Sequence, residues 1–243
     1  MRSFHPLWSL VLALAANAAC SSPKPPEPPR APDKTAARDS GPRRRVGPSV
    51  ETEIGALDQN ATERAFGALL RKVEKCQDDR RAQEEQLDFL SGDVKIKVRV
   101  KADGSARYAY LQKTTVGDRA VEQCIVDAAK GLSWPKPQGG EGIAENEFSL
   151  PQKGDREAVA WPATKVAKEV DGAKAQLKSC TGGKKGGFLV TAYVDKAGRV
   201  ISAGASAPVE DAEGAVDCLV KAVRGLKLPS PGGFPAKVTI SVD

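Results

Sequence analysis

Residues 104–137 and 198–231 carry one pattern twice. At a constant offset of 94, Gly104 aligns with Gly198, Cys124 with Cys218 and Ala128 with Ala222. Gly131-Leu132 aligns with Gly225-Leu226, Pro135 with Pro229 and Pro137 with Pro231, with no shift across those 34 positions. Upstream, Cys76 and Cys180 stand 104 apart, so the first copy carries about ten extra residues, and the charged run 77–86 is the natural insertion. Internal repetition decides architecture before composition does: the folded part of this chain is two copies of one small unit.

Each copy reads as the same order of elements. In the first, Phe66, Leu69, Leu70, Val73 and Cys76 recur at helical spacing, ahead of Val94, Ile96, Val98 and Val100, which alternate with cations as a half-buried strand does. Asp103-Gly104 signals a hairpin, with residues 106–113 as the return strand. A second helix follows with Val121, Cys124, Ile125, Ala128 and Leu132 on one face, and Trp134-Pro135 forces an extended exit towards a last strand over 143–150. The second copy repeats this with a helix bearing Val166, Val170, Ala173, Leu177 and Cys180, then strands over 188–194 and 200–205. A helix bearing Ala215, Cys218, Leu219, Ala222 and Leu226 comes next, and a strand over 237–242 closes the chain. The expected fold class is α+β: two tandem α-β-β-α-β domains, at 51–151 and 152–243, each a three-stranded mainly antiparallel sheet packed against helices.

The N-terminal fifth is of another kind. Arg2 and the uncharged, mostly apolar run 7–16 read as a signal peptide over 1–19, too short to span a bilayer. Residues 17–21, Asn-Ala-Ala-Cys-Ser, resemble the lipobox of bacterial lipoproteins, which implies that Cys20 is lipidated and becomes the mature N-terminus. Asn17 stands where that family prefers Leu, and ordinary cleavage after Ala18 is the alternative. Residues 21–50 hold eight prolines and no aromatic residue, so the 20–50 stretch reads as a lipidated tether unable to bury a core. As polyproline II at about 3.1 Å per residue, it reaches up to roughly 90 Å.

Five cysteines are an odd number for an exported chain, and lipidation of Cys20 accounts for one. Four cysteines allow three connectivities; the natural one joins Cys76 to Cys124 and Cys180 to Cys218, clipping helix to helix on the predicted core faces of each copy.

The set of residues resembles the TonB C-terminal domain superfamily, more closely the AgmX/PglI-type C-terminal domain of envelope and gliding-motility proteins. The resemblance rests on Val100-Lys101-Ala102-Asp103-Gly104, on residues 124–132 followed by Trp134-Pro135-Lys136-Pro137, on Gly139-Gly140, and on Cys76 ahead of the first strand. Val194-Asp195-Lys196-Ala197-Gly198, residues 218–226, Leu228-Pro229-Ser230-Pro231 and Gly232-Gly233 repeat it. Each motif is short, and the set covers about three quarters of the chain. The resemblance implies a binding module that takes a partner peptide against a sheet edge, and no catalytic residue. Energy-transducing TonB proteins begin with a transmembrane helix where this chain has a lipobox, a departure that argues against energy transduction.

Chemistry is sparse. His5, the one histidine, lies in the leader, so the mature chain has no imidazole for acid-base work or metal ligation, and neither enzymatic activity nor cofactor nor metal is expected. Asp118 and Glu122 read as solvated helix-start acids. The loop over 182–187 lacks the Lys-Ser/Thr ending of a phosphate loop and precedes a strand, so it reads as a turn. The outward strand faces offer more. Lys95, Lys97, Arg99 and Lys101 share one face, which Tyr108 and Tyr110 can join; the matching face of the second copy carries Leu189, Thr191 and Tyr193, open to a partner or to the other copy. Arg43-Arg44-Arg45 and the basic face are the candidate contacts for peptidoglycan or another anionic polymer.

The expectation is an envelope lipoprotein facing the periplasm, on the outer membrane, that binds an envelope protein through tandem TonB-like domains. Anionic-polymer anchoring is the alternative, and nucleic acid is excluded by export. Peptide mapping of unreduced protein from its native compartment should find lipid on Cys20 and the two within-copy disulfides; four free thiols would remove the export argument.

Overall fold

A computed structural model describes residues 54–84, 87–184 and 186–243. The leader 1–19, Cys20, the tether 20–50 and with it Arg43, Arg44 and Arg45 lie outside the described residues.

The fold is α+β, with one three-stranded antiparallel sheet and one four-stranded mixed sheet. In the first copy α1 (Gln59–Gln83) begins at Asp58, whose side chain accepts from the Ala61 N–H, and buries Phe66, Leu69, Val73 and Cys76. It runs on through most of the ten-residue insertion, so the extra residues lengthen the helix by about two turns. The added turns are anchored: Gln77, fully buried, donates Nε2–H to the carbonyls of Leu90 and Pro151, each at 2.8 Å. Strands β1 (Gly92–Val100), β2 (Ala106–Thr114) and β3 (Gly142–Leu150) form the sheet in the order β2-β1-β3, with α2 (Arg119–Lys130) between β2 and β3. The alternating residues Val94, Ile96, Val98 and Val100 face the helices and lose all exposure.

The second copy departs in two ways from the expected pattern. Its first helix is divided into α3 (Ala167–Gly172) and α4 (Lys174–Thr181), breaking at Gly172-Ala173, where a glycine loses more backbone freedom than any other residue. Its sheet has four strands where three were expected: β5 (Phe188–Val194), β6 (Val200–Ser206) and β7 (Ala236–Val242) are joined by β4 (Val159–Trp161), pairing parallel with β7. Three residues are too few for an alternation to be read from sequence. Helix α5 (Val216–Arg224) occupies the place of α2.

Both disulfides join helices within one copy, Cys76 to Cys124 and Cys180 to Cys218. The cysteines are less buried than expected: Cys76 faces the core, Cys124 and Cys180 are half-buried and Cys218 is exposed, so each bridge closes the outer rim of its helix pair. The core stripe of α2 runs instead through Val121, Glu122, Ile125, Val126 and Ala129. A carboxylate on a core stripe is what apolar periodicity cannot show.

Glu122 and Asp118 are both buried, a correction to their reading as solvated acids. They dock the first copy on the outer face of the second sheet. Glu122 Oε2 accepts from the Ala205 N–H of β6 at 2.9 Å, while Oε1 accepts from Thr114 Oγ1 and the Gly117 N–H. Asp118 caps α2 by accepting from the Val121 N–H, and its side chain also accepts from Arg80 Nε on the added turns of α1 and from Ser202 Oγ of β6. Two glycines make the approach possible. A Cβ at Gly204 would fall on the Glu122 carboxylate, and one at Gly117 (φ +73°) would collide with Thr191 and Tyr193. Tyr193, fully buried, donates its hydroxyl to the Ser91 carbonyl at 3.1 Å and packs on Phe89 with ring centroids 5.0 Å apart. Of the two occupants open to the uncharged face, the structure has the other copy. The described residues accordingly form one compact unit.

Burial pushes the Glu122 carboxyl up to about 8, against the opposing pull of its N–H donors. Because the folded chain then holds a proton that the unfolded chain has released, stability falls as pH rises from the unfolded carboxyl range through about 8, by up to about 1.4 kcal/mol per pH unit. Glu122→Gln, neutral throughout, should lose that slope, and thermal melts of both proteins between pH 5 and 9 check it. Equal slopes would contradict the burial of a protonated carboxyl.

Candidate functional site

The junction uses two sheet edges. β2 and β6 meet, and the Ala207 N–H donates to the Leu111 carbonyl at 3.2 Å across them. A third edge, β7, is taken by β4 over Ala236–Val238. The equivalent edge of the first copy is β3, and there the covering strand stops at its start. The Gly55 N–H donates to the Glu141 carbonyl at 2.8 Å, as the Val159 N–H donates to the Pro235 carbonyl at 2.9 Å, the donors 104 and the acceptors 94 residues apart as the two offsets of the repeat require. Ala56 then turns away to exchange hydrogen bonds with Gln138. Among the described residues no strand pairs with β3 on its outer side. An antiparallel edge strand directs half of its N–H and C=O groups outward, a template for a further strand.

The face beside this edge holds the candidate residues Lys95, Lys97, Arg99, Lys101, Tyr108 and Tyr110. The structure brings them together on one side of β1 and β2, and adds a column of acids from β3. Lys95 and Lys97 both reach Glu145, at 2.6 and 3.1 Å. Arg99 Nε meets Glu141 at 2.8 Å, and Arg107 Nε donates to the same carboxylate at 2.6 Å. Hydrogen bonds from these cations hold the Glu141 and Glu145 carboxyls below the usual carboxylate range, and the bond that Lys95 donates to Glu145 raises the Lys95 ammonium in turn. Lys101, at the hairpin, makes no ion pair among the described residues. Tyr108 is half-buried, 6.1 Å ring to ring from Tyr110. Tyr110 is only 6% exposed, and the 3-10 turn Glu210–Ala215 packs on its strand, so it belongs to the junction more than to a free face. Of the second-copy candidates, Tyr193 is covered as described and Leu189 is half-buried.

The exposed face is therefore a checkerboard of compensated charge, where sequence reading gave a basic patch. Glu141, Glu145 and Glu147 were the missed residues, and their signal was present. Glu145 and Glu147 alternate along 142–150 as the lysines alternate along β1. No family model, curated protein or solved structure matches this chain.

Compensation has a consequence for polyanion binding. Glu141→Gln combined with Glu145→Gln releases four paired cations and should delay elution from a cation exchanger beyond the delay caused by Glu63→Gln with Glu74→Gln, two exposed acids outside the ion pairs of the described residues. Equal delays would mean that the pairs do not hold the face neutral.

Proposed function

We propose that this chain is a non-enzymatic cell-envelope lipoprotein, anchored through Cys20 on the outer membrane and facing the periplasm, that scaffolds protein partners by accepting an extended segment along β3. One observation carries the reading. The two copies share an edge that takes a strand, occupied by β4 over Ala236–Val238 in the second copy and left open past Glu141 in the first. Strand addition supplies affinity through main-chain hydrogen bonds and specificity through alternate side chains, so it needs no pocket and no catalytic group. The resemblance to TonB C-terminal domains agrees with that mode, and the within-copy disulfides suit an oxidising compartment. The basic tether then serves as reach, holding the docking unit away from its anchor.

A photo-reactive residue placed at Ser149 on β3, and separately at Asp127 on the exposed side of α2, tests this in living cells. Discrete protein adducts from position 149 and none from 127 are expected. Adducts from 127 alone, or from neither, would place docking elsewhere.

A further inference from the structure

We infer that the segment accepted by β3 is basic, with Lys or Arg at the position opposite Glu147 and an apolar residue opposite Ile143, four residues away. This rests on the strand-docking reading and adds the chemistry of the partner.

The exposed face is built in columns of alternating sign. β1 contributes Lys95, Lys97, Arg99 and Lys101; β3 contributes Ile143, Glu145, Glu147 and Ser149, with Lys95 opposite Glu147, Lys97 opposite Glu145 and Arg99 opposite Ile143. A strand added outside β3 sets its own side chains directly opposite these, at about 4.5–5.5 Å between Cβ atoms, where opposite charges attract and like charges repel. Lys95 leans diagonally to Glu145 at 2.6 Å, so that Glu145 holds two lysines, while Glu147, exposed, makes no ion pair among the described residues. Of the two acids that flank the middle of the open edge, Glu147 is thus the one without an ion pair, and it borders the incoming strand. Ile143, 40% exposed, offers the apolar contact two residues from Glu145.

The same column argues against a second copy of this chain as the occupant. Antiparallel self-pairing centred on Asn146 sets Glu145 against Glu147 twice, and centring on Glu145 or Glu147 sets that residue against itself. An acidic segment meets the same repulsion.

Three ten-residue peptides of alternating Thr and a variable residue, the variable one being Lys, Gln or Glu, with Val at the position meant for Ile143, test this on the mature chain. Affinity is read by titration, and the place of binding by amide hydrogen exchange over 143–149. The Lys peptide should protect β3 and bind about fivefold or more tightly than the Gln peptide, with the advantage shrinking in salt. Glu147→Lys, a surface change, should invert the order of Lys and Glu peptides. If all three protect β3 with equal affinity, strand docking stands and the basic preference falls. If none protects β3, or the Lys peptide protects another region, the docking reading falls as well. Protection of β3 that rises with concentration of the chain alone would put a second copy in the edge and overturn the inference.

Discussion

The Glu122 carboxyl against the backbone of β6 is the contact on which the arrangement of this molecule depends. The outer face of the second sheet carries Ser202, Gly204, Ser206, Thr191 and Thr239, small polar residues that would ordinarily be solvated. Burying such a face costs free energy unless each polar group finds a partner. The first copy supplies partners for part of it: Glu122 takes the Ala205 N–H, and Asp118 and the Gly117 carbonyl take the Ser202 hydroxyl; Thr191 and Thr239, both of the second copy, bond to each other, and the buried Ser206 hydroxyl has no partner. A polar interface of this kind is directional in a way an apolar one is not, so it fixes how the copies meet. Which edges close follows from it. β2 is brought to β6, β4 lies on β7 over Ala236–Val238, and β3 has no strand on its outer side among the described residues.

Divergence between the copies is then intelligible residue by residue. Lys95, Lys97 and Arg99 on β1 correspond, at the 94-residue offset, to Leu189, Thr191 and Tyr193 on β5. One face meets water and the other meets its neighbour, and the substitutions follow that difference. Glu122 and Asp118 correspond to Val216 and Ala212, because only the first copy contributes α2 to the junction. The insertion serves the same end. Arg80 on the added turns reaches Asp118, and Phe89 and Ser91, just beyond, hold Tyr193 and the Lys237 ammonium. The insertion, a charged run in the sequence, is through its helical turns a buttress.

What could be read from sequence was whatever local periodicity records. The inward valines of β1, the Asp103-Gly104 hairpin, the order of elements and the two helix-to-helix disulfides all leave marks within one copy. The junction leaves none, since a carboxylate such as Glu122 looks the same whether it faces water or a neighbouring backbone. Nothing in Val159-Ala160-Trp161 announces β4, because its pairing is set by where the linker passes β7. The acids of β3 are a different case. Their alternation is legible in residues 142–150, but which cations they cancel depends on β3 lying beside β1, a pairing between strands far apart in the sequence.

An open nine-residue edge is a hazard as well as an opportunity, since it offers the same unpaired backbone to every chain that meets it. Natural sheets guard such edges with charge, and the usual device is lysine. Here the lysines stand one strand inward, on β1, and the guard on the edge itself is glutamate, with Glu145 held in place by Lys95 and Lys97. The choice of sign matters. A carboxylate column disfavours copies of itself while leaving the backbone accessible to a strand of opposite charge, so under the proposed strand docking the feature that prevents indiscriminate pairing would also select among partners. Had the edge been closed by a bulge or a proline, the molecule would have been equally safe and would have offered no backbone to a further strand.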